Sequence, residues 1–69
     1  MSAEILNFVS GKLSMYVASE GNYIPAGTTV DIYTVVENRD IYVKVCALSE
    51  DYHFVRLPYY GTDIDMLIK

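Results

Sequence analysis

One thiol and one imidazole are present in the chain, on Cys46 and His53. Together these groups could form a cysteine nucleophile and its base. Catalysis would also need an orienting group, an oxyanion site and a cleft. The sequence has no phosphate-binding glycine loop and no nucleophile elbow, and we expect Cys46 to be a small buried hydrophobe. We therefore predict no catalytic residue and no enzymatic activity.

Carboxylates occur close together at Glu50-Asp51 and at Asp63 and Asp65. Paired carboxylates can hydrolyse glycosides or bind a hard cation. Glu50-Asp51 lies in a predicted turn, where acidic residues are ordinarily solvated. Calcium loops need more oxygen ligands at closer spacing, and a zinc site needs more cysteine and histidine ligands. We predict neither a metal site nor a cofactor.

Size and composition favour one small domain spanning residues 1–69. Hydrophobic residues make up 52% of the chain, enough to exclude general disorder. No apolar run approaches the roughly 20 residues that cross a bilayer. The first residues lack a basic leader, and Glu4 stands where a signal peptide would carry positive charge. We expect a protein of the cytoplasm with no membrane association, which a lone cysteine also fits.

The net charge is −4, from nine acidic and five basic residues. The basic residues are dispersed along the chain and form no cluster. Contacts with phosphate dominate affinity for nucleic acid, so direct binding of nucleic acid is disfavoured. The same charge balance disfavours anionic membrane surfaces.

The clearest structural pattern is a hairpin. Residues 28–36 (TTVDIYTVV) and residues 41–48 (IYVKVCAL) are rich in β-branched residues that alternate in two sets. The polar segment at residues 37–40 forms the predicted turn. Val30, Ile32 and Thr34 fall on one face of the first strand, and Ile41, Val43, Val45 and Ala47 fall on one face of the second. Tyr33 and Tyr42 fall on the opposite faces.

The flanking segments complete a meander. Residues 52–57 are a predicted strand that Pro58 ends, and residues 64–68 are a final short strand. Residues 19–27 are predicted as a loop, since they contain two glycines and a proline. Residues 12–18 alternate as a strand. Residues 1–11 are ambiguous between a strand joined to it at Ser10-Gly11 and a short helix capped by Ser2.

These elements predict an all-β fold, a small five-stranded antiparallel barrel or a curled meander. Their order resembles an SH3-like barrel over residues 12–68. The stretch Pro25-Ala26-Gly27-Thr28-Thr29-Val30-Asp31-Ile32 resembles the Gly-x-x-Val-x-Val entry to the second strand of bacterial SH3-type domains. The segment Pro58-Tyr59-Tyr60 is similar to the Pro-x-x-Tyr turn of eukaryotic ones. The chain has no tryptophan, so the resemblance implies an architecture and no ligand.

Tyrosine is in excess, with seven residues. Tyrosines favour interfaces because they offer a large area, a polar tip and a low entropy cost. They can equally stiffen a small sheet as cross-strand pairs. Both interpretations remain open. The candidate partner-binding residues are Tyr33, Tyr42, Tyr23, Tyr59 and Tyr60.

The sequence therefore favours a non-enzymatic module that binds and modulates a larger protein partner. A short acidic chain of this kind resembles the accessory proteins of bacteriophages and mobile elements, many of which act by occupying a surface of a host enzyme. One alternative is a structural subunit of a homo-oligomer or a larger particle. A further alternative is an acidic mimic of nucleic acid.

Overall fold

Six strands and one helical turn account for the regular structure of residues 3–48 and 53–69, the residues described in a computed structural model. The strands are β1 Glu4–Lys12, β2 Val17–Ser19, β3 Asn22–Ile24, β4 Thr29–Glu37, β5 Asp40–Ala47 and β6 Phe54–Pro58. The helical turn, α1, is Ile64–Leu67. All strand pairs are antiparallel, so the predicted all-β class is confirmed.

The central hairpin forms as the sequence predicts. β4 and β5 pair from Val30 opposite Ala47 to Glu37 opposite Asp40. The two turn residues, Asn38 and Arg39, have φ of 52° and 71°. Positive φ at both positions gives a type I′ turn, whose twist matches that of the paired strands. β6 adds to β5 and completes the predicted three-stranded meander.

One face of the four-stranded sheet carries the core, and we call it the inner face. It is formed by alternate residues of β4, β5 and β6 that are almost fully excluded from solvent. The β2–β3 hairpin, Leu13 and α1 cover this face with Leu13, Val17, Ile24 and Leu67, all buried. The inner-face residues of the three strands are Val30, Ile32, Thr34, Val43, Val45, Ala47 and Val55.

The ambiguous first segment is a strand over its described residues. β1 pairs antiparallel with β4 along its whole length, with a bulge between Ile5 and Asn7. The predicted strand over residues 12–18 is wrong. β1 continues through Ser10-Gly11 to Lys12, Leu13 makes an isolated bridge to Ile68, and β2 begins only at Val17. Gly11 lies within β1 and allows the side chain of Ile68 to pack closely against the strand, so it does not form the predicted turn.

The predicted loop over residues 19–27 contains a hairpin instead. β2 and β3 pair from Val17 opposite Ile24 to Ser19 opposite Asn22. Glu20 and Gly21 form its turn, with φ of 51° and 85°. The hairpin forms because Val17 and Ile24, one on each strand, can both be buried against the inner face.

The predicted final strand over residues 64–68 is also wrong, because Ile64–Leu67 is helical. Residues three and four positions apart share one side of a helix. The helical turn thereby directs Ile64 and Leu67 together at the core, and Ile68, in the extended backbone after the helix, packs there as well. A strand would have turned Leu67 away from the other two.

No closed barrel forms among the described strands. The four-stranded sheet has the order β1-β4-β5-β6, so β1 and β6 are its edges, and β2–β3 is a separate sheet. The β2–β3 hairpin packs across the end of the sheet next to β6. A sheet covered on one face, with a meander at its centre, replaces the barrel that the order of elements predicts.

Arg39→Gly should stabilise the protein by about 1 kcal/mol, because a left-handed φ is unfavourable for a residue with a Cβ and not for glycine. In a domain of this size that corresponds to a rise in Tm of roughly 4–8 °C. Thermal unfolding followed by circular dichroism measures it. Arg39→Ala is the control, since it removes the side chain and keeps the strained backbone. An equal rise in both variants would contradict this explanation.

Gly11→Ala should destabilise the protein by roughly 1–3 kcal/mol, the usual range for overpacking a core. A Cβ at Gly11 would lie 2.7 Å from Cγ2 of Ile68, closer than two carbon atoms can approach. In an Ile68→Ala background that atom is gone, and the cost of Gly11→Ala should fall. Urea unfolding of the four proteins measures the coupling. An identical cost in both backgrounds would show that the contact is not the cause.

Candidate functional site

The face of the sheet opposite the core, which we call the outer face, is the candidate site. Residues paired across antiparallel strands share a face, and the registers arrange this one in three rows. The rows are Ile5, Val35, Tyr42 and Pro58; then Phe8, Tyr33, Lys44 and Arg56; then Ser10, Asp31, Cys46 and Phe54. Solvent reaches this face, since Ile5, Phe8 and Phe54 keep 57%, 54% and 42% of their surface exposed.

Two cations stand directly opposite each other in the middle row. Lys44 pairs with Arg56 across β5 and β6, and like charges at this spacing repel. Each cation lies over an aromatic ring in a neighbouring row. Lys44 Nζ is 4.5 Å from the ring centre of Phe54, and the Arg56 guanidinium carbon is 3.9 Å from that of Tyr42. These cation–π contacts hold the two charges on the outer face and pin both rings.

The middle row is extended by aromatic contact on its other side. The ring centres of Phe8 and Tyr33 lie 5.1 Å apart, with their planes inclined at 37°. That separation is typical of a favourable aromatic pair. The middle row therefore runs from two rings on β1 and β4 to two cations on β5 and β6, across all four strands of the sheet.

A shallow depression of about 420 Å³ opens on this face. Val35 and Cys46 form its floor and are themselves buried, with only 4% and 3% of their surface exposed. The depression is wide enough to take an apolar side chain from another molecule. Six of its eight lining residues are apolar or aromatic, and Glu37 and Lys44 add charge. It is lined by Ala3, Ile5, Tyr33, Val35, Glu37, Tyr42, Lys44 and Cys46.

Two groups that line the depression, Cys46 and Tyr42, have raised pKa values, which favours their neutral forms. Burial raises the pKa of the Cys46 thiol, Asp31 raises it further, and Lys44 opposes them. Burial likewise raises the pKa of Tyr42, whose hydroxyl donates to Glu37 Oε1 at 3.2 Å. A protonated, buried thiol is a poor nucleophile, so Cys46 behaves as the small hydrophobe that the sequence predicts.

His53 is engaged away from Cys46. Its Nε2 lies 3.0 Å from the carbonyl oxygen of Tyr23 on β3, on the side of the sheet that the β2–β3 hairpin covers. The thiol and the imidazole therefore do not form a nucleophile–base pair. No group of three or more His, Cys, Asp or Glu residues that could hold a metal ion occurs within residues 3–48 and 53–69.

The five predicted partner-binding tyrosines lie in three places. Tyr33 and Tyr42 share the outer face. Tyr23 is on the β2–β3 hairpin, where its ring stacks on Tyr16 with centres 5.7 Å apart. Tyr59 and Tyr60 follow β6 and make an edge-to-face pair with each other at 5.1 Å. Only the first pair belongs to the outer face.

The sequence interpretation missed Phe8, Phe54 and the two cations as members of this surface. Alternation in the segments that became β5 and β6 already put Lys44 beside Tyr42, and Phe54 beside Arg56, on the side away from the core. The sequence did not indicate on which face Phe8 lies, because residues 1–11 fitted a strand and a helix equally well.

Comparison with family models, with curated proteins and with solved structures finds no match to the chain. The SH3-like resemblance and the kinship with phage accessory proteins therefore stay predictions. No helix in the described ranges is long and apolar enough to cross a membrane.

The stability of the protein should decline at alkaline pH in a way that depends on Tyr42. Its pKa is raised above 10.0 in the folded state, so the unfolded chain releases the proton first. The contribution of Tyr42 to the free energy of unfolding is therefore complete below about pH 10, and it is lost as the pH rises through the pKa of Tyr42 in the folded state. Urea unfolding between pH 7 and pH 11 should show a smaller decline in Tyr42→Phe.

Glu37→Gln separates the causes of this shift. Burial is the larger cause and Glu37 the smaller one, so this variant should keep part of the alkaline decline. A decline of the same size in the parent and in Tyr42→Phe would show that Tyr42 does not contribute.

Proposed function

We propose that this chain is a non-enzymatic interaction module that binds a larger protein through its outer face. The observation that supports this most directly is the row of two solvent-accessible rings and two ring-held cations across four strands. Aromatic and arginine side chains in this arrangement are the groups that contribute most to protein–protein affinity.

The shape of the outer face supports a protein partner. The depression over Val35 and Cys46 has room for one anchoring apolar side chain, and a partner seated on the surrounding rings would exclude water from it. The rings of Tyr42 and Phe54 are already fixed by Arg56 and Lys44. Little side-chain entropy is lost when such pre-ordered groups bind, which favours affinity.

The charges indicate what the partner presents. Lys44 and Arg56 form a local positive centre in a protein of net charge −4. Glu37 lines the depression, Asp31 belongs to the outer face, and Asp40 lies 3.8 Å from Arg56. A nucleic-acid backbone would be repelled by these acids. The matching partner surface has an apolar side chain with one or two carboxylates beside it.

A host enzyme bound by a small accessory protein in the cytoplasm is the partner class that the resemblance to phage proteins suggests. That part of the proposal is an analogy, and the outer face supplies its physical basis. Occupation of an enzyme surface needs no chemistry from the bound module, only affinity and specificity.

Binding to a partner should fall at least about tenfold in Phe54→Ser and in Lys44→Glu, a loss typical of interface anchors. The partner would be captured from the native host and its affinity measured by calorimetry or biolayer interferometry. Tyr60→Ser and Arg39→Glu are matched controls, since they make the same kinds of change at exposed positions off the outer face. They should bind within about twofold of the parent.

Circular dichroism would confirm that all four variants are folded. Folded outer-face variants that bind as tightly as the parent would eliminate this surface. An equal loss of partner affinity in the two controls would indicate that the partner responds to overall charge or hydrophobicity rather than to the outer face. That result would also contradict the proposal.

A further inference from the structure

Two adjoining depressions lie beside the segment that joins β6 to α1. Residues 61–63 of this segment line both of them. Asn7 lines one depression and Leu57 the other, and in the sheet these residues are paired with Thr34 and Val43 of the inner face. Paired residues share a face, so both depressions open on the side of the sheet opposite the outer face.

The first depression, which we call the acidic depression, has a volume of about 620 Å³. Its lining includes two aromatic rings and two carboxylates, those of Tyr59, Tyr60, Asp63 and Asp65. The two rings meet edge to face, with their planes at 85° and their centres 5.1 Å apart. Rings at a right angle form the walls of a corner in which a cation can contact the negative face of each ring. The carboxylates of the same depression attract the same charge.

The turn that carries the two rings is held in place by hydrogen bonds. The Thr62 hydroxyl donates to the carbonyl oxygen of Pro58 at 2.6 Å, and the Thr62 N–H donates to that of Tyr59 at 3.4 Å. Gly61 has a φ of 95°, which glycine adopts without strain. Asp63 stands at the N-cap of α1, but its carboxylate makes no capping hydrogen bond. That common use of an N-cap carboxylate therefore does not compete with a ligand.

The second depression, which we call the methionine groove, is mainly apolar and has a volume of about 390 Å³. Val17 and Leu67 form its floor, since they keep only 5% and 7% of their surface exposed. Met15 and Met66 line it as well and are each more than half exposed. Methionine side chains are flexible and polarisable, so they adapt to apolar groups of different shapes. The groove therefore suits an apolar side chain from another molecule.

The charges around the two depressions select the kind of ligand. Asp63 lines both depressions, and Asp65 lines the acidic one. Among the residues that the structure describes, no lysine or arginine lines either depression. An anionic ligand would be repelled, and a second copy of this chain, with a net charge of −4, is disfavoured for the same reason. The complementary ligand is positively charged beside an apolar group.

We propose that the two depressions bind a peptide segment of another protein in which a lysine or arginine lies close to a large apolar residue. The basic side chain enters the acidic depression, against Tyr59 and Tyr60, and the apolar side chain fills the methionine groove. Both depressions are open to solvent, so each contact alone is weak. One chain that makes both contacts gains affinity, because the first contact raises the effective concentration of the second group.

This site is separate from the outer face, and the inference goes beyond the proposed function without resting on it. The outer face has a positive centre at Lys44 and Arg56 and suits carboxylates on its partner. The depressions carry the opposite charge on the opposite side of the sheet. One module can thereby contact two ligands of opposite charge at the same time.

Short acetylated and amidated peptides test the ligand, each with one lysine and one leucine separated by up to about three glycines. At least one spacing should bind with a Kd on the order of 1 mM or lower, and it should shift the amide resonances of residues 59–67 in an NMR titration. Norleucine in place of lysine keeps the aliphatic stem and removes the charge. This change, or alanine in place of leucine, should raise the Kd at least about fivefold.

Variants of the protein test the two depressions separately. Tyr60→Ser and Asp65→Asn alter the acidic depression, and Met66→Gln puts a polar amide into the methionine groove. Each should raise the Kd of the best peptide at least about threefold. Asp65→Asn should have little effect on the norleucine peptide, because the charge pair is then already lost.

Two matched controls line neither depression. Glu20→Gln removes the same charge as Asp65→Asn at an exposed position on the β2–β3 turn, and Phe54→Ser changes an exposed ring on the outer face. Both should bind the peptide within about twofold of the parent, since surface changes away from a site have small effects. The NMR spectra would confirm that all variants are folded.

Three results would overturn the proposal. The first is no binding at any spacing at about 10 mM peptide, and the second is equal affinity for the lysine and norleucine peptides. The third is an equal loss of affinity in Glu20→Gln and Asp65→Asn, which would indicate attraction by overall charge. Phe54→Ser should lose the outer-face partner and keep the peptide, whereas Tyr60→Ser should do the reverse. The two proposals can therefore fail separately.

Discussion

The burial of one face of the β4–β5 hairpin is the constraint on which the rest of the structure depends. Val30, Val43 and Val45 are completely excluded from solvent, and a hairpin cannot achieve this alone. β6 widens the sheet, while β2–β3 and α1 supply the second layer that covers the valines. The elements β2, β3, β6 and α1, with Leu13, thus contribute apolar side chains to a single surface, whereas no residue of β1 belongs to this core cluster. All of this second layer lies on the inner face, so the described elements leave the outer face uncovered.

The strength of the periodic signal decided what could be predicted from the sequence. The β4–β5 hairpin and its turn were predicted correctly because β-branched residues alternate there without interruption. The helical turn Ile64–Leu67 was missed, since in four residues a period of two and a period of 3.6 look alike. The β2–β3 hairpin was missed because its buried residues, Val17 and Ile24, are few and separated by turn-forming residues. In each failure, packing against the inner face overrode the local pattern.

The candidate site was predictable to the extent that the strands were. Tyr33 and Tyr42 were placed on one surface by alternation alone. Tyr23, Tyr59 and Tyr60 were included only because tyrosine is common at interfaces. Residue type alone does not determine on which surface of the fold a side chain lies. The contacts of Lys44 with Phe54, and of Arg56 with Tyr42, run diagonally between rows. They follow from the pairing of β5 with β6 and from the repulsion between the two cations, and neither is visible along a single strand.

The bulge in β1 has a consequence for how the chain can change over time. It lets Ile5 and Phe8, an odd number of positions apart, share one face. The extra residue is absorbed at the bulge, so that everything from Asn7 onward keeps its register with β4. A residue gained or lost at the bulge would change which side chains the first residues of β1 display on each face. The buried valines of β4 and β5 would be unaffected. A one-residue change in length at the bulge would therefore alter the surface that β1 presents without moving any residue of the core cluster.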